Sequence, residues 1–128
     1  MAEAVVDASA LVDLLLDNDL GRAVRRRIAG HALHAPAHLD AEVLSALGRL
    51  HRADGLTPET VGAKLRELIS APIERHPVTT LLVGAWARRH QLRLVDALYV
   101  ELAVSRGLRL ITTDVRLRAA PAVDVIAT

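Results

Sequence analysis

Cysteine is absent from all 128 residues, which removes disulfides, thiolate metal ligands and a cysteine nucleophile together. Phenylalanine is absent too, leaving Trp86 and Tyr99, too few rings for recognition by stacked bases. The core must therefore be aliphatic, built from Ala, Leu and Val, which suits helices packed closely on a sheet. No uninterrupted apolar run approaches the roughly 18–20 residues of a membrane span. Nor does a basic region precede a long apolar one at the start. These absences lead us to expect a cytoplasmic protein with no membrane partner. Lysine occurs once, at Lys64, so the basic side is arginine, whose planar fork suits phosphate oxygens. The formal net charge is only +1, so no global field advertises a nucleic-acid partner.

What is present is apolar and periodic. Hydrophobic residues make up 52% of the chain, too many for a disordered segment. The length fits one domain spanning 1–128. Five short aliphatic or β-branched runs read as strands: Ala4–Asp7, Leu33–Ala35, Ile73–Val78, Arg109–Thr112 and Val123–Ile126. Helical patterns separate them. The first runs from Ser9 to Ala29 with a break near Asn18–Gly21. The second, Ala37–Ala53, carries Leu39, Val43, Ala46, Leu47 and Leu50 at helical spacing and ends at Gly55. Thr57-Pro58 opens a third, with Thr57 as N-cap and Pro58 at the first helical position. A fourth spans Thr80–His90 and a fifth Ala97–Arg106, closed by Gly107; a short turn follows between Asp114 and Ala120. Strands alternating with helices give an α/β fold with a mainly parallel sheet covered on both faces. Chemistry in such folds sits beyond the carboxyl ends of the strands, where the winding reverses.

Acidic residues occupy those places. Asp7 closes the first strand in Val5-Val6-Asp7-Ala8-Ser9, and Asp114 follows the fourth in Thr112-Thr113-Asp114. Asp96 opens the fifth helix, and Glu42 lies early in the second, one turn from Leu39 and Ala46, at the border of its apolar stripe. Each aspartate alone is explained equally well as a helix cap, and Glu42 as a snorkelling surface residue. Together they say more. With the first and fourth strands adjacent, Asp7 and Asp114 would lie side by side, and several carboxylates in one cleft repel strongly. A divalent cation removes the conflict. Oxygen ligands without His or Cys favour Mg²⁺ or Mn²⁺ over zinc, and that chemistry suits phosphodiester hydrolysis with one or two ions.

The segments VVDASALVDLLL, LDAEVLSALGRL, LVDALYVELA and ITTDVRL resemble the four acidic blocks of the PIN-domain family, and in particular its VapC branch of toxins from toxin–antitoxin pairs. The likeness runs over nearly the whole chain. It implies a three-layer α/β/α sandwich with a five-stranded sheet in the order 3-2-1-4-5. It also implies a Mg²⁺- or Mn²⁺-dependent endoribonuclease in which Asp7, Glu42, Asp96 and Asp114 bind metal, with Ser9 and Thr112 as the polar groups that orient them. The partners it implies are an RNA substrate, a small cognate antitoxin and a second copy in a homodimer. The competing reading is a non-catalytic module that holds RNA or a peptide in the same acidic groove.

Other residues carry weaker expectations. Asp13 and Asp17 read as solvated, and Asp40 as a first-turn helix residue. Arg22, Arg25 and Arg26 share a helix face that would lie along RNA phosphates. Arg88, Arg89 and Arg93 are further basic positions. His31, His34 and His38 read as surface residues, since their segment passes from loop through strand to helix. Trp86 and Tyr99 read as core or dimer-interface residues. Neither Ser9 nor Ser45 has the flanking glycines of a nucleophile elbow, and a receiver domain would need a lysine after the last strand that is missing.

Overall fold

The computed structural model describes residues 1–127; Thr128, the last residue of the expected domain, lies outside them. Strand β1 (Ala2–Val6) takes the centre of the sheet because its second half has only small aliphatic side chains. Ala4, Val5 and Val6 are all buried, and successive residues of a strand point to opposite faces, so both faces of the sheet are covered. Strands β2 (His31–Pro36), β3 (Ile73–His76), β4 (Leu110–Thr112) and β5 (Val123–Val125) complete the order β3-β2-β1-β4-β5. Every pairing is parallel. Val5 and Val6 lie opposite Leu110 and Ile111, so the ends of β1 and β4 are neighbours, as the PIN likeness implies.

Helices α1 (Ala8–Leu16), α2 (Asp19–Ile28), α3 (Leu39–Arg52) and α4 (Pro58–Ser70) pack together as one layer. Helices α5 (Leu82–Ala87) and α6 (Leu94–Arg106) form the other, with α6 lying against β1, β2 and β4. The expected break in the first helix is real. Asp17 ends α1 in the left-handed region, and the Asn18 side chain accepts from Gly21 N–H to start α2. Gly21 is required there: a Cβ would lie 1.9 Å from the Asp13 carbonyl oxygen. Thr57 caps α4 and Pro58 opens it, as read from the sequence.

Several boundaries differ. Asp7 lies outside β1 and instead caps α1 through Ala10 N–H. β3 stops at His76 because Pro77, next in the chain, has no N–H to donate. The expected helix over Thr80–His90 is a 3-10 turn, Val78–Leu81, followed by the short α5. α3 closes at Ala53 with Asp54, not Gly55, in the left-handed region. α6 begins at Leu94, three residues early, so Asp96 sits inside its first turn and Arg93 takes the cap position. The core is aliphatic as expected, with Tyr99 its one large aromatic member. Trp86 is not in it and stays 58% exposed.

Candidate active site

The carboxyl ends of β1 and β4 are knitted together by hydroxyl groups around Asp7. Ser9 Oγ donates to Asp7 Oδ1 at 2.8 Å, and Thr112 Oγ1 donates to Oδ2 in a short bond. With their protons committed to Asp7, both hydroxyls accept from the loop after β4. Thr113 N–H reaches Ser9 Oγ at 3.2 Å, and Asp114 N–H reaches Thr112 Oγ1 at 3.0 Å. Thr113 Oγ1 in turn donates to Asp13 Oδ2 at 2.8 Å. Asp13 is therefore half-buried and tied to this loop, which corrects its reading as solvated.

Asp7 is buried, and its partners are all neutral. Burial pushes its carboxyl up to about 6, with the nearby Asp114 charge adding to the effect against its three hydrogen bonds. Asp114 behaves in the opposite way. Arg116 holds it below the usual carboxylate range through bonds of 2.7–3.2 Å from Nε and Nη2, and Arg116 N–H also donates to it. Asp96 is paired with Arg93 at 3.0 Å. Glu42, on the first turn of α3, accepts a 2.7 Å hydrogen bond from the Tyr99 hydroxyl. Burial and the adjacent Glu42 raise the Tyr99 phenol well above its ordinary value, so it stays a donor. The His38 ring packs against Tyr99, tilted by 45° with ring centroids 4.6 Å apart, and its Nε2 lies 3.5 Å from Glu42 Oε1.

Asp7, Glu42, Asp96 and Asp114 all line one cleft of about 340 Å³, together with Ser9, Asp13, Tyr99 and the arginines Arg49, Arg93 and Arg116. Thr112 lies beneath it, fully buried. No three of the cleft acids bring ligand oxygens within 4.8 Å of one another; two of them are neutralised by arginine instead. The donor set nevertheless fits a hard divalent cation. All four acids offer oxygen, and Asp7 is a desolvated carboxylate with no cationic partner.

The structure does not bring Arg22, Arg25 or Arg26 to this cleft. Arg22 pairs with Asp19, and Arg25 lies 3.5 Å from Asp17. Of the second basic group, Arg93 enters the cleft, Arg88 pairs with Glu101, and Arg89 covers the Trp86 ring. Two histidine expectations are overturned. His34 is only 3% exposed, because β2 is an inner strand covered on both faces, and His38 is held under Tyr99 and α6. The sequence reading also missed Tyr99 as a partner of Glu42, and Arg93 and Arg116 as partners of the acids. The local signal for the arginines was available, since each lies two or three positions from its aspartate.

The PIN domain family matches residues 4–123. The chain belongs to the PIN-domain family. Within it the chain is 59% identical over 126 residues to ribonuclease VapC3 of Mycobacterium tuberculosis, covering 97% of this chain and 92% of that one. Ribonuclease VapC1 of the same organism is 39% identical over 123 residues, covering 94% and 92%. Among solved structures, PAE2754 from Pyrobaculum aerophilum is 30% identical with a TM-score of 0.68, over 97% of this chain and 84% of that one. M. tuberculosis VapC20, described as a sarcin–ricin loop cleaving toxin, shares the fold at 19% identity and a TM-score of 0.71, over 98% and 100%.

Proposed function

We propose that this chain is a single-domain VapC-type toxin, an endoribonuclease that hydrolyses RNA phosphodiester bonds with a divalent ion, Mg²⁺ or Mn²⁺, in the acidic cleft. The observation that carries the reading is Asp7, a buried carboxylate with only neutral partners at the floor of a cleft that also holds Glu42, Asp96 and Asp114. The high identity to VapC3 supports the same activity.

In this reading Asp7, Glu42, Asp96 and Asp114 hold the metal, one ion or two. The bound metal supplies an activated water and charge neutralisation at the scissile phosphate. The protein's own part is orientation. Ser9 and Thr112 fix the Asp7 carboxylate so that its remaining lone pairs face the cleft, and Tyr99 does the same for Glu42. Arg93 and Arg116 neutralise Asp96 and Asp114 in the cleft, and their guanidinium groups, which border the site, would suit the oxygens of an RNA phosphate as fork-like donors. Arg49 lies on the same rim. Arg22, Arg25 and Arg26 serve RNA backbone farther from the scissile bond.

The partners follow from the same reading. A small antitoxin would cover the cleft and block access to it. A homodimer is supported by the apolar groove on α5 and α6, where Leu82, Trp86, Leu94 and Val95 are each at least 40% exposed. Among the described residues no helix is long and apolar enough to cross a membrane.

The test is cleavage of purified RNA by the purified chain with Mg²⁺, with EDTA, and by Asp7→Asn and Asp96→Asn variants. Cleavage is expected only with metal and intact acids. RNA binding without cleavage under all conditions would favour the non-catalytic module instead.

A further inference from the structure

A second constellation lies away from the acidic cleft, on the α6 side of the sheet at its β3 edge. His34 on β2 stands opposite Glu74 on β3, and His76 follows two residues later, so all three share one face. On β1, Val5 pairs with His34, which puts Glu3 on that face as well. His34 Nδ1 lies 2.9 Å from His76 Nε2 and 3.2 Å from Glu74 Oε2, and the last two atoms are 3.9 Å apart. Among the described residues, this is where His, Asp and Glu ligand atoms converge to such distances.

We propose that His34, His76 and Glu74 form a second metal site, one for Zn²⁺. The three separations decide it. They average 3.3 Å, the ligand–ligand distance of a tetrahedral site with the roughly 2.0 Å bonds that zinc makes to imidazole nitrogen and carboxylate oxygen, so the 3.9 Å side between His76 and the exposed Glu74 closes by about 0.6 Å around an ion. The set of two imidazoles and one carboxylate selects a borderline transition ion over Mg²⁺, so this site and the acidic cleft differ in chemistry as well as place. Three protein ligands leave one tetrahedral position for water.

The surroundings agree. His34 uses Nδ1 toward the triangle, and its other nitrogen, Nε2, lies 2.7 Å from Glu3 Oε1. A ligating histidine commonly donates its second N–H to a carboxylate, which fixes the tautomer and the ring. Glu3 thus leaves the lone pair of Nδ1 pointing at the centre. The Glu74 side chain is 65% exposed, which gives an ion a path from solvent. Without an ion, the tautomer that Glu3 favours makes His34 Nδ1 the acceptor of a His76 Nε2–H hydrogen bond, and an ion at the centre would move the His76 proton from Nε2 to Nδ1, so that His76 stays a neutral imidazole. Arg106, at the end of α6, acts electrostatically on both Glu3 and His76 and opposes a cation there. An ion here joins β2 to β3, a strand of only four residues at the sheet edge.

The full chain, stripped with chelator, is titrated with Co²⁺ followed by optical absorption, and with Zn²⁺ by calorimetry. We expect one ion per chain with the intense visible bands of tetrahedral Co²⁺, bleached by Zn²⁺. The bands persist in Asp7→Asn, where the acidic cleft is impaired. His76→Ala abolishes them, Glu74→Gln weakens the site about tenfold or more, and Glu3→Gln weakens it by about 10–100-fold. Circular dichroism checks that each variant is folded, and Glu74→Gln, at an exposed position, remains decisive if His76→Ala is not. No tetrahedral Co²⁺ spectrum in the parent chain, or the same affinity in folded Glu74→Gln, overturns the proposal.

Discussion

The Tyr99 hydroxyl, from the buried face of α6, donates a 2.7 Å hydrogen bond to Glu42 on the first turn of α3. It joins the two helical layers at the cleft and fixes a carboxylate that neither layer orients alone. The remaining Glu42 neighbour, His38 Nε2, stands 3.5 Å away, too far for a strong bond.

Tyr99→Phe removes that donor while preserving the ring. Stability is expected to fall by about 1 kcal/mol. The larger effect falls on metal use: the Mg²⁺ concentration for half-maximal RNA cleavage rises about tenfold. A metal titration of activity beside a thermal melt separates the two. An unchanged metal dependence would show that Tyr99 is only a core residue.

Asp7 makes the metal-free protein sensitive to pH. Its folded value of about 6 lies above the ordinary 3.8, so the folded state holds this proton more tightly than the unfolded chain. The stabilisation is fully present below about pH 4 and is lost as pH rises through about 6, an effect on the order of 3 kcal/mol. In EDTA, melting temperatures between pH 4 and 7 are expected to decline in the parent and less so in Asp7→Asn. That variant should be inactive yet no less stable than the parent at neutral pH.

Trp86 reports on self-association. It is exposed beside Leu82, Leu94 and Val95, with Arg89 stacked on its ring 4.7 Å from the centroid. Trp86→Glu places a charge in that groove without disturbing the core. Sedimentation is expected to show a dimer for the parent and a folded monomer for the variant; two monomers would remove the homodimer from the proposal.

Gly21 holds α2 against α1. A methyl group there meets the Asp13 carbonyl, which is backbone and cannot swing away. Gly21→Ala is expected to cost about 3 kcal/mol, lowering the melting temperature by about 10 °C. Because Asp13 anchors Thr113, activity should fall at temperatures where the variant is still folded.

Much of this was legible in the residues themselves. Val5-Val6-Asp7 read as a strand ending in an acid, and the likeness of the four acidic blocks to the PIN family implied the strand order that places β1 beside β4. Cap and site proved compatible for Asp7 and Asp114, each of which caps a helical turn while facing the cleft. Asp13 was misread because its partner, Thr113, lies 100 residues away, beyond any local pattern. His34 was misread for a different reason. A segment passing from loop through strand to helix read as surface, but β2 is an inner parallel strand with no wet face. The fork-like pairs Arg93–Asp96 and Arg116–Asp114 were within reach of spacing alone.

The Thr112–Asp7 bond spans 105 residues, and that span governs when the cleft can come into being. Asp7 is synthesised 105 residues before the hydroxyl that orients it, and Asp114 follows that hydroxyl. Contacts this distant in sequence form late and cooperatively. A nascent or prematurely terminated chain that stops short of β4 therefore carries three of the four acids but no assembled centre.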